Sequence, residues 1–208
     1  MLLGPTIVRR CSACSKPIGQ HTVASGNTFG AEFWTDGKVD APMLPDQPAL
    51  VSCPHCRMPV WMNELEILGR VPYRKLKDAF PDAKMEYESV FPLDYFAILT
   101  NKPRTRTTER YLRIRAWWSG NDQRRNDKPK RSFSTQETSN LISLAALLNE
   151  SRKRDVWMKA EIMRELGLFE YALSLLDKIK DPELETTAAQ IWQLAEKRDP
   201  YARALETS

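Results

Sequence analysis

The four cysteines of this chain form two CxxC pairs, Cys11 with Cys14 and Cys53 with Cys56. A two-residue gap lets both thiolates of a pair bind one ion, and two such pairs supply the four sulfur ligands that tetrahedral zinc prefers. Pro54 restricts the backbone of the second pair before its ligands are placed. The sequence therefore predicts one structural Zn²⁺ site with these four cysteines as its ligands.

Two other uses of paired cysteines remain open at this stage. A redox dithiol needs one CxxC pair and leaves the second pair without a role. A rubredoxin-like iron site uses the same ligands, so spacing alone does not separate iron from zinc. His21 and His55 lie near the cysteines in sequence, but four thiolates complete the coordination shell and we expect neither histidine to be a ligand.

Short strands and turns are predicted around the cysteine pairs. Residues 6–10 suit a strand that leads into the first pair. Residues 29–35 alternate as a strand does, and Asp36 with Gly37 is a hairpin turn signal because glycine readily takes a positive φ. Residues 49–51 lead into the second pair, and residues 60–62 leave it.

The order strand, cysteine pair, hairpin, strand, cysteine pair resembles a zinc ribbon over about the first 70 residues. The resemblance implies a small β-rich domain that depends on its metal for stability. The 38 residues between Cys14 and Cys53 exceed the usual ribbon spacing. We therefore expect an insertion that adds a hairpin of its own.

Composition is that of an ordinary globular protein: 208 residues, of which 42% are hydrophobic and 28% charged. No run of residues approaches the apolar length that a membrane-spanning helix needs. Residues 1–5 lack the charged and apolar regions of a signal peptide. We expect a cytoplasmic protein with reduced thiols, which favours metal over disulfides.

The positive charge is concentrated in one segment. The chain carries a net charge of +4, but residues 102–131 hold 11 Lys and Arg against 3 Asp and Glu. We expect a helix here that is capped near Thr107 or Thr108 and ends at Gly120 and Asn121, followed by a polar loop over 124–131. The candidate nucleic-acid contacts are Arg104, Arg106, Arg110, Arg113, Arg124, Arg125, Lys128, Lys130 and Arg131.

The basic segment allows three interpretations. Cations that displace counterions, together with aromatic rings that stack on bases, are typical of a nucleic-acid surface. Tyr111, Ile114 and Trp118, however, lie at core spacing on a helix, which would make the arginines a solvated face. An acidic protein partner is the third possibility.

A helical region is predicted from Ser134 onward. Ser134 and Glu137 fit a capping box, and Asp181 with Pro182 fits the start of a later helix. Four amphipathic helices with short connections account for this region. Before the basic segment, residues 73–80 suit a short helix, and the apolar residues 86–99 are ambiguous between helix and strand.

One predicted helical hairpin in this region is similar to a tetratricopeptide repeat. Ala160 and Ala172 occupy the positions of its two small residues, and Gly167 with Phe169 matches its turn. The closing proline comes about two residues early, and the expected tryptophan is displaced to Trp157. The resemblance implies helix pairing and the binding of another protein.

The predicted fold class is α+β, with a small β-rich zinc ribbon at the N-terminus and an all-α, four-helix, tetratricopeptide-like C-terminal half. The predicted segments are 1–70 (ribbon with inserted hairpin), 71–101 (apolar connection), 102–131 (basic helix and loop) and 132–208 (helical bundle).

No phosphate-binding loop, HExxH motif or nucleophile elbow is present, so we expect no enzyme activity. The predicted function is a non-catalytic zinc-binding protein that acts as a protein-interaction module or adaptor. The alternative is a regulatory nucleic-acid-binding protein that uses the ribbon and residues 104–131. No membrane and no small-molecule substrate are expected.

Overall fold

The computed structural model describes residues 1–85, 90, 92–101, 105–126 and 131–206, and it shows an α+β fold. The strands are β1 Leu2–Leu3, β2 Thr6–Arg10, β3 Pro17–Gln20, β4 Val23–Ser25, β5 Glu32–Phe33, β6 Val39–Asp40, β7 Leu50–Ser52, β8 Pro59–Trp61 and β9 Ile67–Val71. The helices are α1 Leu76–Ala79, α2 Pro92–Thr100, α3 Arg106–Asn126, α4 Thr135–Leu147, α5 Lys153–Glu165, α6 Phe169–Leu176 and α7 Pro182–Glu196, with 3₁₀ turns at Met62–Glu64 and Tyr73–Lys75.

The chain folds as two compact units. Unit 1 contains residues 1–31 and 40–91, and unit 2 contains residues 32–39 and 92–208. The hairpin around Asp36, expected as part of the insertion in the ribbon, therefore belongs to the helical unit. The division into four segments at 70, 101 and 131 stays a prediction.

Unit 1 is built on a three-stranded antiparallel sheet in the order β3–β2–β9. The predicted strand at residues 6–10 is confirmed and forms the centre of this sheet, where Val8 is fully buried. Val8 packs with Leu76 and Ala83, which come from α1 and the segment after it. Strands β7 and β8 form a separate antiparallel pair around the second cysteine pair.

The predicted strand over residues 29–35 is wrong in its first half. Phe29 is 83% exposed and Gly30 has a φ of 70°, so the chain turns there and forms strand only at β5. The predicted turn at Asp36 and Gly37 is confirmed: Gly37 has a φ of 79°, and the Trp34 N–H donates to the Lys38 carbonyl across the turn.

Unit 2 contains the four helices predicted after residue 134, which are α4 to α7. The capping box is confirmed, because Ser134 Oγ accepts from the Glu137 N–H while the Glu137 side chain accepts from the Ser134 N–H. The core of this unit includes Leu144, Ile162 and Leu175, all with no exposed surface. In the described part of the chain, no helix has both the length and the apolar character that crossing a bilayer requires.

Helix α3 differs from its predicted extent at both ends. Thr105 precedes it and its hydroxyl accepts from the Thr108 N–H, so the cap lies earlier than Thr107. The helix also continues past Gly120 and Asn121 to Asn126, so Arg124 and Arg125 are helical and not in a loop. Gly120 leaves room within the helix for the buried Glu137 carboxylate of α4, because a Cβ there would lie 2.5 Å from one of its oxygens.

The most buried face of α3 is offset from the face that core spacing predicts, although Ile114 does pack against the core. Leu112 and Ala116 are fully buried and Trp117 is 2% exposed, whereas Tyr111, Ile114 and Trp118 are only partly buried. The buried stripe continues through Asn121 and Arg124. The spacing of apolar residues alone does not predict a buried helix face whose last residues are polar.

A buried polar network joins the hairpin around Asp36 to helices α3 and α5. The Asn121 side-chain amide donates to the Asp36 carboxylate at 2.7 Å and to Glu165 at 3.1 Å. The indole of Trp117 also donates to Glu165 at 2.8 Å. Burial, reinforced by the neighbouring carboxylates of Glu161 and Asp36, raises the pKa of Glu165 well above its ordinary value. The pKa of Asp36 is raised by burial as well.

The raised pKa of Glu165 predicts a loss of stability with rising pH. The folded chain binds a proton that the unfolded chain releases above the ordinary pKa, so the free energy of unfolding falls by up to about 1.4 kcal/mol per pH unit until the raised pKa is reached. Glu165→Gln keeps an acceptor for Trp117 and removes this contribution. Urea titrations at pH values from about 5 to about 9 measure it. The exposed Glu196→Gln is the control, and an unchanged slope in Glu165→Gln would contradict the assignment.

Candidate metal centre

The first cysteine pair lies in the tight turn between β2 and β3. The Cys11 N–H donates to the Lys16 carbonyl at 3.0 Å, and the Ser15 N–H donates to the Cys11 carbonyl at 2.9 Å. Ser15, directly after Cys14, has a φ of 60°. These bonds close the turn locally, so both sulfur atoms are presented on the same side by a short hairpin.

The second cysteine pair repeats this geometry between β7 and β8. The Cys53 N–H donates to the Met58 carbonyl at 3.0 Å, and the Arg57 N–H donates to the Cys53 carbonyl at 2.9 Å. Arg57, directly after Cys56, has a φ of 66°, as Ser15 does in the first turn. Two sequence-local hairpins with matching hydrogen bonds therefore supply two sulfur atoms each.

The four sulfur atoms converge. The Sγ atoms of Cys11 and Cys56 are 3.9 Å apart, those of Cys14 and Cys53 are 3.8 Å apart, and all four lie within 4.8 Å of one another. A tetrahedral zinc ion with sulfur ligands at about 2.3 Å requires sulfur–sulfur separations of about 3.8 Å. The four side chains therefore fit a metal ion of this type, as the sequence predicted.

The site is part of the apolar core of unit 1. Cys11 is 1% exposed and Cys53 is fully buried, among Ile18, Val51 and Val60. Burial raises the pKa of the Cys53 thiol to about 12. A metal ion must displace this proton, so metal binding releases protons and weakens as the pH falls.

The two histidines have other surroundings. The Nε2 atom of His55 lies 3.0 Å from the Pro17 carbonyl, and the His55 N–H donates to the Cys53 sulfur at 3.4 Å. This N–H favours the charged form of its sulfur acceptor. The His21 ring packs at 5.6 Å from the Tyr73 ring. Neither histidine belongs to the sulfur cluster, as expected if four thiolates complete the coordination shell of the metal.

The predicted nucleic-acid contacts do not form one exposed surface among the described residues. Arg104, Lys128 and Lys130 lie outside the described residues. Arg124 is 3% exposed and donates to Glu137 at 2.6 Å; Arg131 donates to the same carboxylate at 3.0 Å.

The other predicted basic residues are also engaged within unit 2. Arg110 binds both carboxylate oxygens of Asp155, at 3.0 and 2.6 Å. Arg125 donates to Asp36 at 2.5 Å and also to Asp122.

The last two predicted contacts have partners on α3 itself and on α4. Arg113 donates to Glu109 at 2.8 Å and to Asn140. Arg106 donates to the carbonyl of Leu147 at 2.8 Å. The carboxylates that neutralise Arg110 and Arg125 lie 45 and 89 positions away in sequence, and no sequence signal identifies such partners.

The environment of Glu137 explains why Arg124 is buried. Burial opposes the charge of Glu137, but hydrogen bonds from the Ser134 N–H and from Arg124 outweigh it and lower the pKa of Glu137 to about 2. The guanidinium of Arg124 also lies 3.9 Å from the centre of the Phe133 ring. The charges of Arg124 and Glu137 therefore compensate each other, and removing either side chain leaves the other as a buried charge without its main partner.

We expect Arg124→Gln to destabilise the protein by about 3–5 kcal/mol, because it leaves Glu137 charged and buried without its main partner. Arg131→Gln is a matched control, because Arg131 binds the same carboxylate but is 41% exposed; its cost should be about 0–1 kcal/mol. Urea denaturation measures both, and equal costs would contradict the burial argument.

No family model, curated protein or solved structure matches this chain.

Proposed function

We propose that the chain is a non-catalytic zinc-binding protein in which a structural zinc ion stabilises unit 1 and unit 2 binds another protein. The convergence of four cysteine sulfur atoms from two hairpins carries the first part of the proposal. A bound zinc ion would link the hairpin β2–β3 to the hairpin β7–β8 in the manner of a zinc ribbon. Cys11, Cys14, Cys53 and Cys56 would hold it.

Structural zinc agrees best with the surroundings of the sulfur atoms. Four thiolates leave no coordination position for water, which a catalytic zinc requires. Cys53 is fully buried and its thiol pKa is raised, which opposes a role as a redox nucleophile. Iron uses the same ligands, and zinc is the more common occupant of a closed four-cysteine site in a small β domain.

Metal analysis tests the first part of the proposal. We expect about one zinc per purified chain, and Cys53→Ser should lower this content and abolish cooperative unfolding of unit 1, since structural zinc contributes on the order of 10 kcal/mol. Elemental analysis and thermal unfolding with and without a chelator measure both effects. Ser12→Ala, at an exposed position within the first turn, is the control. Purified protein with iron or without metal would contradict the zinc assignment.

The helical pair α5–α6 supports the second part of the proposal. Ala160 and Ala172, the two small residues of the tetratricopeptide-like pattern, have no exposed surface, which allows the two helices to approach closely. Gly167 has a φ of 78° in the connection between them. The Leu168 N–H donates to the Met163 carbonyl, which closes the end of α5 in a Schellman motif.

An exposed apolar pair lies at the start of α6. Leu168 is 50% exposed and Tyr171, three residues further, is 44% exposed. Contiguous exposed apolar side chains are typical of an interaction surface. We propose that this pair contacts the partner protein.

The exposed pair provides a direct test of partner binding. Leu168→Glu combined with Tyr171→Glu should reduce partner recovery in pull-downs by about tenfold or more, because a charge replaces an apolar contact at the interface. The melting temperature should change little, since about half of each side chain is exposed. Ser174→Glu, exposed on the same helix, is the matched control. Equal recovery by both proteins would contradict this assignment.

Nucleic-acid binding has less support. The guanidinium groups of Arg110, Arg124 and Arg125 are engaged by carboxylates of unit 2. Such groups release few counterions on meeting a phosphate backbone. A salt titration of affinity for DNA or RNA remains the direct measurement for this alternative.

A further inference from the structure

Unit 2 contains a cleft of about 350 Å³ whose wall is mainly aromatic and aliphatic. The turn around Gly37 forms one side, helices α5 and α7 form others, and the segment after α7 completes it. The apolar side chains of this wall are Phe33, Trp34, Val39, Trp157, Met158, Leu184 and Leu205. Its size lies at the lower end of the range for small-molecule sites.

The charged residues of the cleft are all cations. Lys38, Arg110 and Arg154 contribute to the lining, and the described lining contains no carboxylate. Lys38 pairs with Asp122, and Arg110 pairs with Asp155, outside the lining. Arg154 is exposed at the rim, and no ion pair joins it to a carboxylate of the described residues. The cleft therefore combines an apolar interior with an excess of positive charge.

One polar group in the wall lacks a partner. The indole N–H of Trp157 is buried and has no hydrogen-bond acceptor within the described part of the chain. A buried donor without an acceptor costs free energy. The indole is held in place by the hairpin, since a Cβ at Gly37 would lie 3.1 Å from the ring.

We propose that this cleft binds a small carboxylic acid with an aromatic or branched apolar body. The apolar body would contact the wall around Trp34 and Trp157, and the carboxylate would lie towards Arg154. The apolar lining and the excess of cations favour such a ligand. The small volume favours a single small molecule over a peptide, which would need a longer groove.

Phenylacetate is a suitable probe, used with the full-length protein and read out on the indole N–H resonances of the tryptophans in ¹H–¹⁵N spectra. We expect saturable shifts at Trp34 and Trp157, with a Kd on the order of 1 mM for a ligand of this size. Trp61 of unit 1 should not respond. The neutral isostere phenylacetamide and the cation phenethylamine should bind at least about tenfold more weakly.

Variants separate the carboxylate contact from the apolar contact. Arg154→Glu should weaken phenylacetate binding roughly ten- to thirtyfold through loss and reversal of charge, and Arg154→Lys should restore most of it. Lys197→Glu, an equal charge change at an exposed position outside the cleft lining, is the control. Thr187→Phe, which narrows the cleft from α7, should abolish binding of both the acid and the amide.

Three outcomes would overturn the proposal. The first is the absence of shifts at Trp34 and Trp157 up to about 10 mM phenylacetate. The second is equal binding of the acid, the amide and the amine, or binding that survives Arg154→Glu. The third is binding of an acidic aromatic peptide where phenylacetate does not bind. None of these measurements depends on the metal content or on partner recovery, so the two proposals fail separately.

Discussion

The arrangement of unit 1 depends on gathering four cysteine sulfur atoms within 4.8 Å of one another. Four thiolates at such distances repel one another strongly, and four thiols there gain little from burial next to apolar groups. A bound divalent cation would neutralise the thiolates and convert this unfavourable arrangement into a stabilising one. The sheet β3–β2–β9 and the pair β7–β8 each continue from one of the two turns that hold the sulfur atoms.

Unit 2 depends on a different constraint, the burial of charged groups in matched sets. Arg164, with no exposed surface, donates to Glu161 and to the carbonyls of Asp199 and Tyr201. Asp36 holds the hairpin against α3 in the same way. These contacts position the turn at Gly37 and the segment after α7. Both form sides of the apolar cleft in unit 2.

Local signals were sufficient for much of the structure. The CxxC pairs, the turn at Gly37 and the capping box at Ser134 are each encoded within a few residues, and each was predicted. The extent of α3 and the burial of Arg124 were not, because they depend on Glu137, which lies 13 residues away on another helix. A glycine also usually ends a helix, but within α3 the Glu137 carboxylate oxygen lies 2.5 Å from where a Cβ of residue 120 would be.

The sequence does not predict the apolar cleft in unit 2 either, because its residues are also far apart in the chain. Trp34 and Trp157 are more than one hundred residues apart in sequence, and neither belongs to a recognisable motif. In the sequence, Trp157 matches only a displaced position of a helical repeat. Its buried indole and the nearby cations become visible together only when the hairpin, α5 and α7 have been placed.

The matching turns at the two cysteine pairs have a consequence for metal uptake. Each hairpin closes through its own hydrogen bonds, so each is a bidentate chelator that can form before the other is in place. The 38 residues between Cys14 and Cys53 then form the only long loop that capture of the ion must close, at an entropic cost of about 3 kcal/mol. Metal loading is thus expected to proceed in two stages, with weak capture by one chelating hairpin followed by ring closure with the other.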